Sequence, residues 1–211
     1  MRRVASQAGA RRTLQPKGRH RAQEILQAAR ALLVENGYAA LTTRKVAQRV
    51  GIRQSNVQYD FPAKVDLVRA LFESSIAESM RPLARMMVRR RMSPERRLAW
   101  ALDQFLQSHQ SLEQQVFVRE LWALAAHDNA VAGVMNGFYR RWVDITTKNL
   151  LQITPALGLR RAQRRALLII SLVDGLSLFH GAAGLDHPAV AGIERDVREV
   201  VLALARDVLG R

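Results

Sequence analysis

The stretch from Thr42 to Lys64, TTRKVAQRVGIRQSNVQYDFPAK, constrains the fold of this chain more than any other segment. It predicts a capped helix start, a short helix, a tight turn, a second short helix and a stop at Pro62. Ala47 is small enough for two helices to approach closely, Gly51 tolerates a left-handed turn, and Val57 anchors the second helix. This Ala, Gly and Val spacing is typical of a helix-turn-helix.

The predicted second helix carries a polar face that can hydrogen-bond to base edges in a major groove of DNA. That face consists of Arg53, Gln54, Ser55, Asn56, Gln58 and Tyr59. The spacing alone also fits an ordinary helical hairpin on a protein surface, so a second observation is needed to separate the two interpretations.

The distribution of charge favours DNA. The chain has a formal net charge of +15, and residues 1–66 hold 13 Lys and Arg against 4 Asp and Glu. This excess surrounds the helix-turn-helix, as phosphate contacts require. The remaining residues are also positive, which leaves open the alternative that arginine is simply abundant throughout the proteome.

Several functional classes lack their sequence signature. The chain has no Cys, which excludes disulfides and thiolate metal sites and favours a reducing cytosol. It contains no GxGxxG, Walker A, HExxH or GxSxG motif, and its five histidines are not spaced as ligands on one helix. We therefore predict a cytoplasmic protein with no catalytic residue, no metal and no cofactor. The longest apolar stretch, residues 166–173, is too short to span a membrane.

Helical periodicity without strand alternation predicts an all-α chain of three parts. Residues 1–18 form a basic arm that either follows DNA or is a solvated tail. Residues 19–80 form a three-helix helix-turn-helix domain with a fourth helix leading out of it. Residues 81–211 form a helical bundle for ligand binding and dimerisation. The first helix is expected to stop at Gly37, and Pro82 is expected to break the chain before helices at about 94–109, 111–126, 128–153, 160–183 and 189–209.

Residues 19 to about 79 resemble the N-terminal domain of TetR-family (tetracycline-repressor-type) transcriptional regulators. The matching features are the run ILQAARALLVENGYAALTTRKVAQRVGI and the aromatic-Asp-Phe-Pro-x-Lys segment that follows it. Family members usually carry an aromatic residue at position 58 and His, Tyr or Asn at position 60, where this chain has Gln58 and Asp60. We expect Gln58 to reach a base or a phosphate, and Asp60 to point away from DNA or pair with a neighbouring basic side chain.

The candidate DNA-binding residues fall into two groups. Phosphate contacts are expected from Thr43, Arg44, Tyr59 and Lys64, next to the helix cap Thr42. Base contacts are expected from Arg53, Gln54, Asn56 and Gln58, with Ser55 on the same face.

The helix that begins near Arg160 is apolar on nearly every side and must therefore be covered on every side. A second copy of the chain would cover it, whereas a monomer with a fully central helix is the alternative. The TetR-family resemblance implies dimerisation through the last two helices as a four-helix bundle. Candidate interface residues are Leu168, Leu172, Leu176, Phe179, Val197, Val201 and Leu204.

Most of the aromatic side chains, including all three Trp, lie within residues 94–150 and either fill a core or line a ligand pocket between helices. Candidate pocket residues are Trp100, Phe105, Phe117, Trp122, His127, Phe138, Trp142, Asp144 and His180, with Asn136 and Tyr139 beside them. The segments FVRELWALAAHDNAVAGVMNGFYRRWVDI and LVDGLSLFHG resemble the betaine-regulator subgroup, which suggests a quaternary ammonium held by aromatic rings and Asp144. Asp174, inside an apolar run, either pairs with an Arg or contacts a ligand or a partner subunit.

Together these features predict a homodimeric transcriptional repressor that binds a pseudo-palindromic operator in double-stranded DNA and responds to an unidentified small-molecule effector. The resemblance implies that the effector tilts the helix of residues 62–80 and changes the distance between the two reading helices. A transcriptional activator or a ligand-independent regulator of the same fold is one alternative. A helical-bundle enzyme or carrier with an incidental hairpin is the alternative from another class.

Overall fold

The computed structural model describes residues 16–88, 92–109, 111–176, 178–179 and 187–207. These residues contain helices and no strand, which confirms the predicted all-α class. The α-helices are α1 (Pro16–Ala40), α2 (Thr43–Val50), α3 (Gln54–Asp60), α4 (Lys64–Val88), α5 (Pro94–His109), α6 (Leu112–Ala125), α7 (Asn129–Ile153), α8 (Leu159–Leu176) and α9 (Ile193–Arg206). Short 3-10 helices lie at Pro155–Leu157 and Pro188–Val190.

Helices α1 to α3 and the first half of α4 enclose a small apolar core. Thr42 caps α2 because its hydroxyl accepts a hydrogen bond from the Lys45 N–H at 3.2 Å. Gly51 ends α2 in the left-handed conformation, with φ 76° and ψ 30°. These features confirm the helix-turn-helix. The fully buried side chains of this core include Ile25, Leu33, Leu41, Val46, Val57 and Leu67.

Several predicted helix boundaries are wrong. The helix predicted at 160–183 ends at Leu176, and the helix predicted at 189–209 begins at Ile193. Helix α1 begins at Pro16, so only residues 1–15 of the predicted arm remain, and they lie outside the described residues. Helix α4 continues through Pro82 to Val88 instead of breaking there. Pro82 is exposed, so water can hydrate the carbonyl group that its missing N–H leaves without a helical partner. The predicted stop at Gly37 survives as a local break, since Gly37 is non-helical with φ 72°.

Helices α5, α7, α8 and α9 pack around a second core, with α7 lying against α8 along much of its length. Arg165 on α8 ties this bundle together, because its buried guanidinium donates to the Leu204 carbonyl and to Asp207 at the end of α9. The Thr154 hydroxyl donates to the Ala205 carbonyl at 2.9 Å. Both contacts satisfy carbonyl groups in the last turn of α9.

Helix α8 leaves one apolar face uncovered in a single copy of the chain. Leu167 and Leu168 are 55% and 57% exposed, and Phe179 beyond the helix is also exposed. The predicted interface divides accordingly. Leu168 and Phe179 are exposed and Leu172 and Leu204 are half-buried, whereas Leu176, Val197 and Val201 are buried within their own chain. The last three are corrected to core residues, because α8 and α9 pack against each other through them.

A joint formed by Arg30, Phe72, Phe117 and Glu120 connects the two parts of the chain. The rings of Phe72 on α4 and Phe117 on α6 lie 5.2 Å apart, inside the same apolar core as the helix-turn-helix. Arg30 on α1 lies 4.1 Å above the Phe117 ring and donates to Glu113 and Gln114 of α6, at 2.8 Å each. Helix α6 is therefore packed directly against the helix-turn-helix domain.

The turn at Gly51 provides a stability test. An added Cβ at Gly51 meets nothing within 4 Å, so Gly51→Ala changes only the backbone preference and should lower the free energy of unfolding by about 1–2 kcal/mol. Gly133 has equally open surroundings but lies within α7, so Gly133→Ala should raise the free energy of unfolding by about 0.5–1 kcal/mol. Denaturant unfolding at one protein concentration measures both. Equal changes in the two variants would contradict the left-handed assignment.

Candidate functional site

The exposed side of α3 forms a reading face made of Arg53, Gln54, Ser55, Gln58 and Tyr59. All five side chains are exposed, and Tyr59 reaches 64% exposure, while Val57 and Phe61 on the opposite side are buried. A short helix with one buried and one polar exposed side has the form needed to enter a major groove. The structure therefore brings these predicted residues together, with Asn56 half-buried at the edge.

The neighbouring predicted contacts lie at the start of α2. Arg44 is exposed and makes no ion pair within the described residues, and Thr43 is half-buried. The Gln54 amide donates to the Thr43 hydroxyl at 3.2 Å, which links the first residues of α3 and α2. A nucleic-acid base must compete for this amide. The roles of these side chains as base or phosphate contacts stay predictions.

Asp60 pairs with a basic side chain, as expected. Its two carboxylate oxygens accept hydrogen bonds from Nε and Nη2 of Arg21 on α1, at 2.9 and 3.1 Å. The Asp60 side chain is only 3% exposed. The hydrogen bond and the charge of Asp60 raise the pKa of Arg21 above its usual value. The positive charge of Arg21 thus balances the negative charge of the Asp60 carboxylate within the domain.

The Lys64 ammonium, a predicted phosphate contact, contacts Tyr38 within its own domain. It donates to the Tyr38 carbonyl at 2.7 Å and lies 3.7 Å above the Tyr38 ring. Burial lowers the pKa of Lys64 below its usual value. These contacts join the start of α4 to the end of α1, and the role of Lys64 as a phosphate contact stays a prediction.

A second candidate site is a cleft between α5, α7 and α8. The cavity volume of this cleft is about 50 Å³, and the cleft is partly open to solvent. Its lining is mainly apolar and aromatic, with few polar groups, as is typical of small-molecule sites. The lining residues are Leu98, Ala101, Leu102, Phe105, Phe138, Tyr139, Trp142, Thr146, Ile169, Ile170, Val173 and Asp174.

Three aromatic rings meet at nearly right angles in this cleft. The Phe105 and Trp142 ring centroids are 4.3 Å apart with an interplanar angle of 73°, and those of Phe138 and Trp142 are 6.0 Å apart at 77°. Edge-to-face contacts of this kind are favourable and hold the three rings against one another.

A chain of polar contacts runs outward from the cleft. The Tyr139 hydroxyl is hydrogen-bonded to Asp174 and accepts a hydrogen bond from the Trp122 indole N–H at 3.1 Å. Burial, then the charge of Asp174 and the hydrogen bond to it, raise the pKa of Tyr139 well above its usual value. The phenol therefore remains protonated and donates to Asp174, which links α8 to α7 and α7 to α6.

The predicted pocket residues separate into several environments. Phe105, Phe138 and Trp142 line the cleft, and Trp100 lines an adjoining space beside Phe105 and Trp142. The structure does not bring the other described residues into the cleft lining: Phe117 lies in the joint, and Trp122, His127 and Asp144 are exposed. His180 lies outside the described residues.

The carboxylate of the cleft is Asp174 rather than Asp144. Its apolar sequence context already marked it as a group that needs a partner, and the Tyr139 hydroxyl is such a partner. No sequence pattern pointed to Thr146, whose hydroxyl-bearing side chain is buried at the cleft wall.

No group of three His, Cys, Asp or Glu side chains in the described part of the chain is arranged to hold a metal ion. Within the same residues, no helix combines the length and the apolar character needed to cross a membrane.

Comparison with known proteins places both parts of the chain. Residues 25–71 match the family described as "Bacterial regulatory proteins, tetR family", and residues 94–206 match "BetI-type transcriptional repressor, C-terminal". An HTH-type transcriptional regulator in the dhlA 5′ region of Xanthobacter autotrophicus is 27% identical over 159 residues, which cover 74% of this chain and 77% of that protein.

Solved structures share the fold. A TetR transcription regulator from Haloarcula marismortui has a TM-score of 0.74 and 20% identity, covering 90% of this chain and 98% of that one. A transcriptional regulator from Saccharomonospora viridis, solved in complex with choline, has a TM-score of 0.73 and 16% identity, covering 87% and 96%.

The polar contacts at Tyr139 can be tested by a double-mutant cycle. Tyr139→Phe leaves Asp174 and the Trp122 N–H without this partner and should lower the free energy of unfolding by about 1–3 kcal/mol. Trp122→Phe removes only one donor and should cost less. The double variant should be more stable than the sum of the two changes predicts, because both remove the same hydrogen bond. Additive changes in denaturant unfolding would show that the Trp122–Tyr139 bond contributes nothing.

Proposed function

Because this chain belongs to the TetR family of bacterial regulatory proteins, we propose that it is a dimeric repressor released from its operator by a small molecule bound in the cleft. It is a DNA-binding transcription regulator with a helix-turn-helix domain. The observation that carries the finer proposal is the contact of α6 with both the cleft residue Tyr139 and the helix-turn-helix domain.

The uncovered apolar face of α8 supports the dimer. Leu167 and Leu168 in the middle of α8 and Phe179 beyond its last residue are large exposed apolar side chains, which a second copy of the chain would bury. A two-fold dimer presents two reading faces, so the operator is pseudo-palindromic, with half-sites about one DNA turn apart or a multiple of it.

The composition of the cleft supports a cationic ligand. Aromatic faces attract organic cations, and the carboxylate of Asp174 supplies the opposite charge. The Saccharomonospora viridis regulator was solved with choline, a quaternary ammonium. We propose that the ligand of this chain carries such a group, held by Asp174 and by the rings of Phe105, Phe138 and Trp142.

Helix α6 connects the cleft to the DNA-binding domain. Its Trp122 donates to Tyr139 at the cleft, and its Glu120 accepts the Tyr38 N–H at 3.1 Å. The Tyr38 carbonyl in turn accepts a hydrogen bond from the Lys64 ammonium at the start of α4. A cation at Asp174 competes with the Tyr139 hydroxyl for the carboxylate. It therefore changes the Tyr139–Asp174 hydrogen bond, which is the first in this series of contacts.

The release of DNA follows from a population shift between two arrangements of the domains. A ligand favours the arrangement with low DNA affinity only as far as it binds that arrangement more tightly. A hundredfold release therefore requires a difference in ligand binding free energy of about 2.7 kcal/mol between the two states.

Operator selection from random DNA, followed by gel shifts at several salt concentrations, tests the DNA-binding proposal. Gln54→Ala should cost about 1–3 kcal/mol of binding free energy at one operator position and relax the base preference there. Gln27→Ala, at an exposed position of α1, is the matched control and should leave the base preference unchanged. If Gln54→Ala lowers the affinity for all DNA sequences equally, Gln54 does not contact a base.

Calorimetric titration with choline tests the ligand proposal. Wild-type protein should bind choline, and Asp174→Asn should weaken the binding by about 1–2 kcal/mol, because it removes the carboxylate from the cleft. Asp144→Asn removes the same charge from an exposed position of α7 and should bind choline like the wild type. Equal affinities for choline in all three proteins would contradict the assignment of Asp174, and no binding heat or thermal shift in the wild type would contradict choline as a ligand.

A further inference from the structure

We propose that the ion pair between Arg21 and Asp60 is a positioning device for the reading helix, so that a buried acid next to DNA strengthens specific binding. This inference rests on the proposed entry of α3 into the major groove. It assigns a role in operator recognition to two residues that contact each other rather than a base.

The reading helix is short and has few anchors. Within α3, Val57 is fully buried, and Phe61 packs just beyond the last residue. At its first residue, Gln54 makes an exposed hydrogen bond of 3.2 Å to Thr43 of α2. At its last residue, Asp60 is joined to α1. A helix of this length, held mainly at Val57, needs a contact at its far end to fix its direction.

The Arg21–Asp60 pair has the geometry for that contact. The two oxygens of Asp60 accept from two nitrogens of one guanidinium at 2.9 and 3.1 Å, which fixes direction as well as distance. Asp60 is 3% exposed, whereas Arg21 is 36% exposed and reaches the surface. The pair therefore bridges α1 directly to the end of α3, at the corner of the domain beside the reading face.

If Asp60 is replaced by a neutral residue, the positioning role and simple electrostatics predict opposite changes in operator affinity. Asp60 is a negative charge beside a polyanion, so removing it should strengthen binding to any DNA if charge alone matters. If the ion pair sets the direction of α3, removing the charge should weaken operator binding while leaving nonspecific binding unchanged or tighter. The specificity ratio, operator affinity divided by nonspecific affinity, separates the two.

The chain offers a matched control in the same domain. Glu35 on α1 accepts two hydrogen bonds of 2.6 Å from Arg49 on α2, so Glu35→Gln also removes one negative charge from a bidentate arginine pair. That pair does not involve α3. Glu35→Gln should bind the operator as tightly as the wild type or more tightly.

The test is a set of gel shifts with the full chain, using the selected operator and a scrambled DNA of equal length. Asp60→Asn should weaken operator binding by about tenfold, the size of one lost base contact, with no loss on scrambled DNA. Arg21→Lys keeps a cation beside Asp60 but removes the bidentate geometry, and should lower the specificity ratio in the same direction. It carries the test if Asp60→Asn does not fold, as judged by circular dichroism.

Unchanged or tighter operator binding by Asp60→Asn, as in Glu35→Gln, would overturn the inference. An equal loss on operator and scrambled DNA would also overturn it, because the pair would then only hold the domain together. A wild-type protein that forms no specific complex with any DNA would overturn the proposed function and this inference with it. If the wild type forms a specific complex and Asp60→Asn binds the operator with unaltered affinity, the inference is overturned but the proposed function is not.

Discussion

The packing of α6 against the helix-turn-helix domain is the contact on which the rest of the structure depends. Phe117 of α6 belongs to the same apolar core as Phe72 and the helix-turn-helix residues, so the two parts of the chain are not joined by a linker alone. Arg30 adds polar contacts at the edge of this packing and covers the Phe117 ring. Because packed interiors transmit displacement instead of absorbing it, a shift of α6 must move α1 or α4.

The same helix carries the polar contacts that face the cleft. Glu120 accepts from the backbone of Tyr38, and Trp122 two residues later donates to Tyr139. In the proposed function, these contacts are the route by which a ligand in the cleft would act on the reading helix without unfolding either part. They also place Lys64 in a structural role, since its ammonium holds the start of α4 against Tyr38.

The sequence was most informative where local chemistry decides the structure. The spacing of Ala47, Gly51 and Val57 predicted the turn correctly, because a left-handed residue and two close helices restrict the choice of side chains. Hydrophobic periodicity predicted the helix at Pro94–His109, but it could not predict which other helix packs against each side of a helix. For that reason Phe117 was assigned to the pocket when it fills the joint, and Val201 to the dimer when it fills the core of its own chain. Asp60 was expected either to point away from DNA or to pair with a neighbouring basic residue, but Arg21, 39 positions away, could not be identified from the sequence.

The coupling between cleft and DNA-binding domain can be measured without any ligand, by a double-mutant cycle on operator affinity with Tyr139→Phe and Glu120→Ala. Distant, independent substitutions add to within about 0.5 kcal/mol in such cycles. If α6 links the two sites, Tyr139→Phe should change operator affinity in the wild-type background and have a smaller effect once Glu120 is removed, giving a coupling energy above about 0.5 kcal/mol. Strict additivity, or an operator affinity that Tyr139→Phe leaves unchanged, would contradict the proposed route.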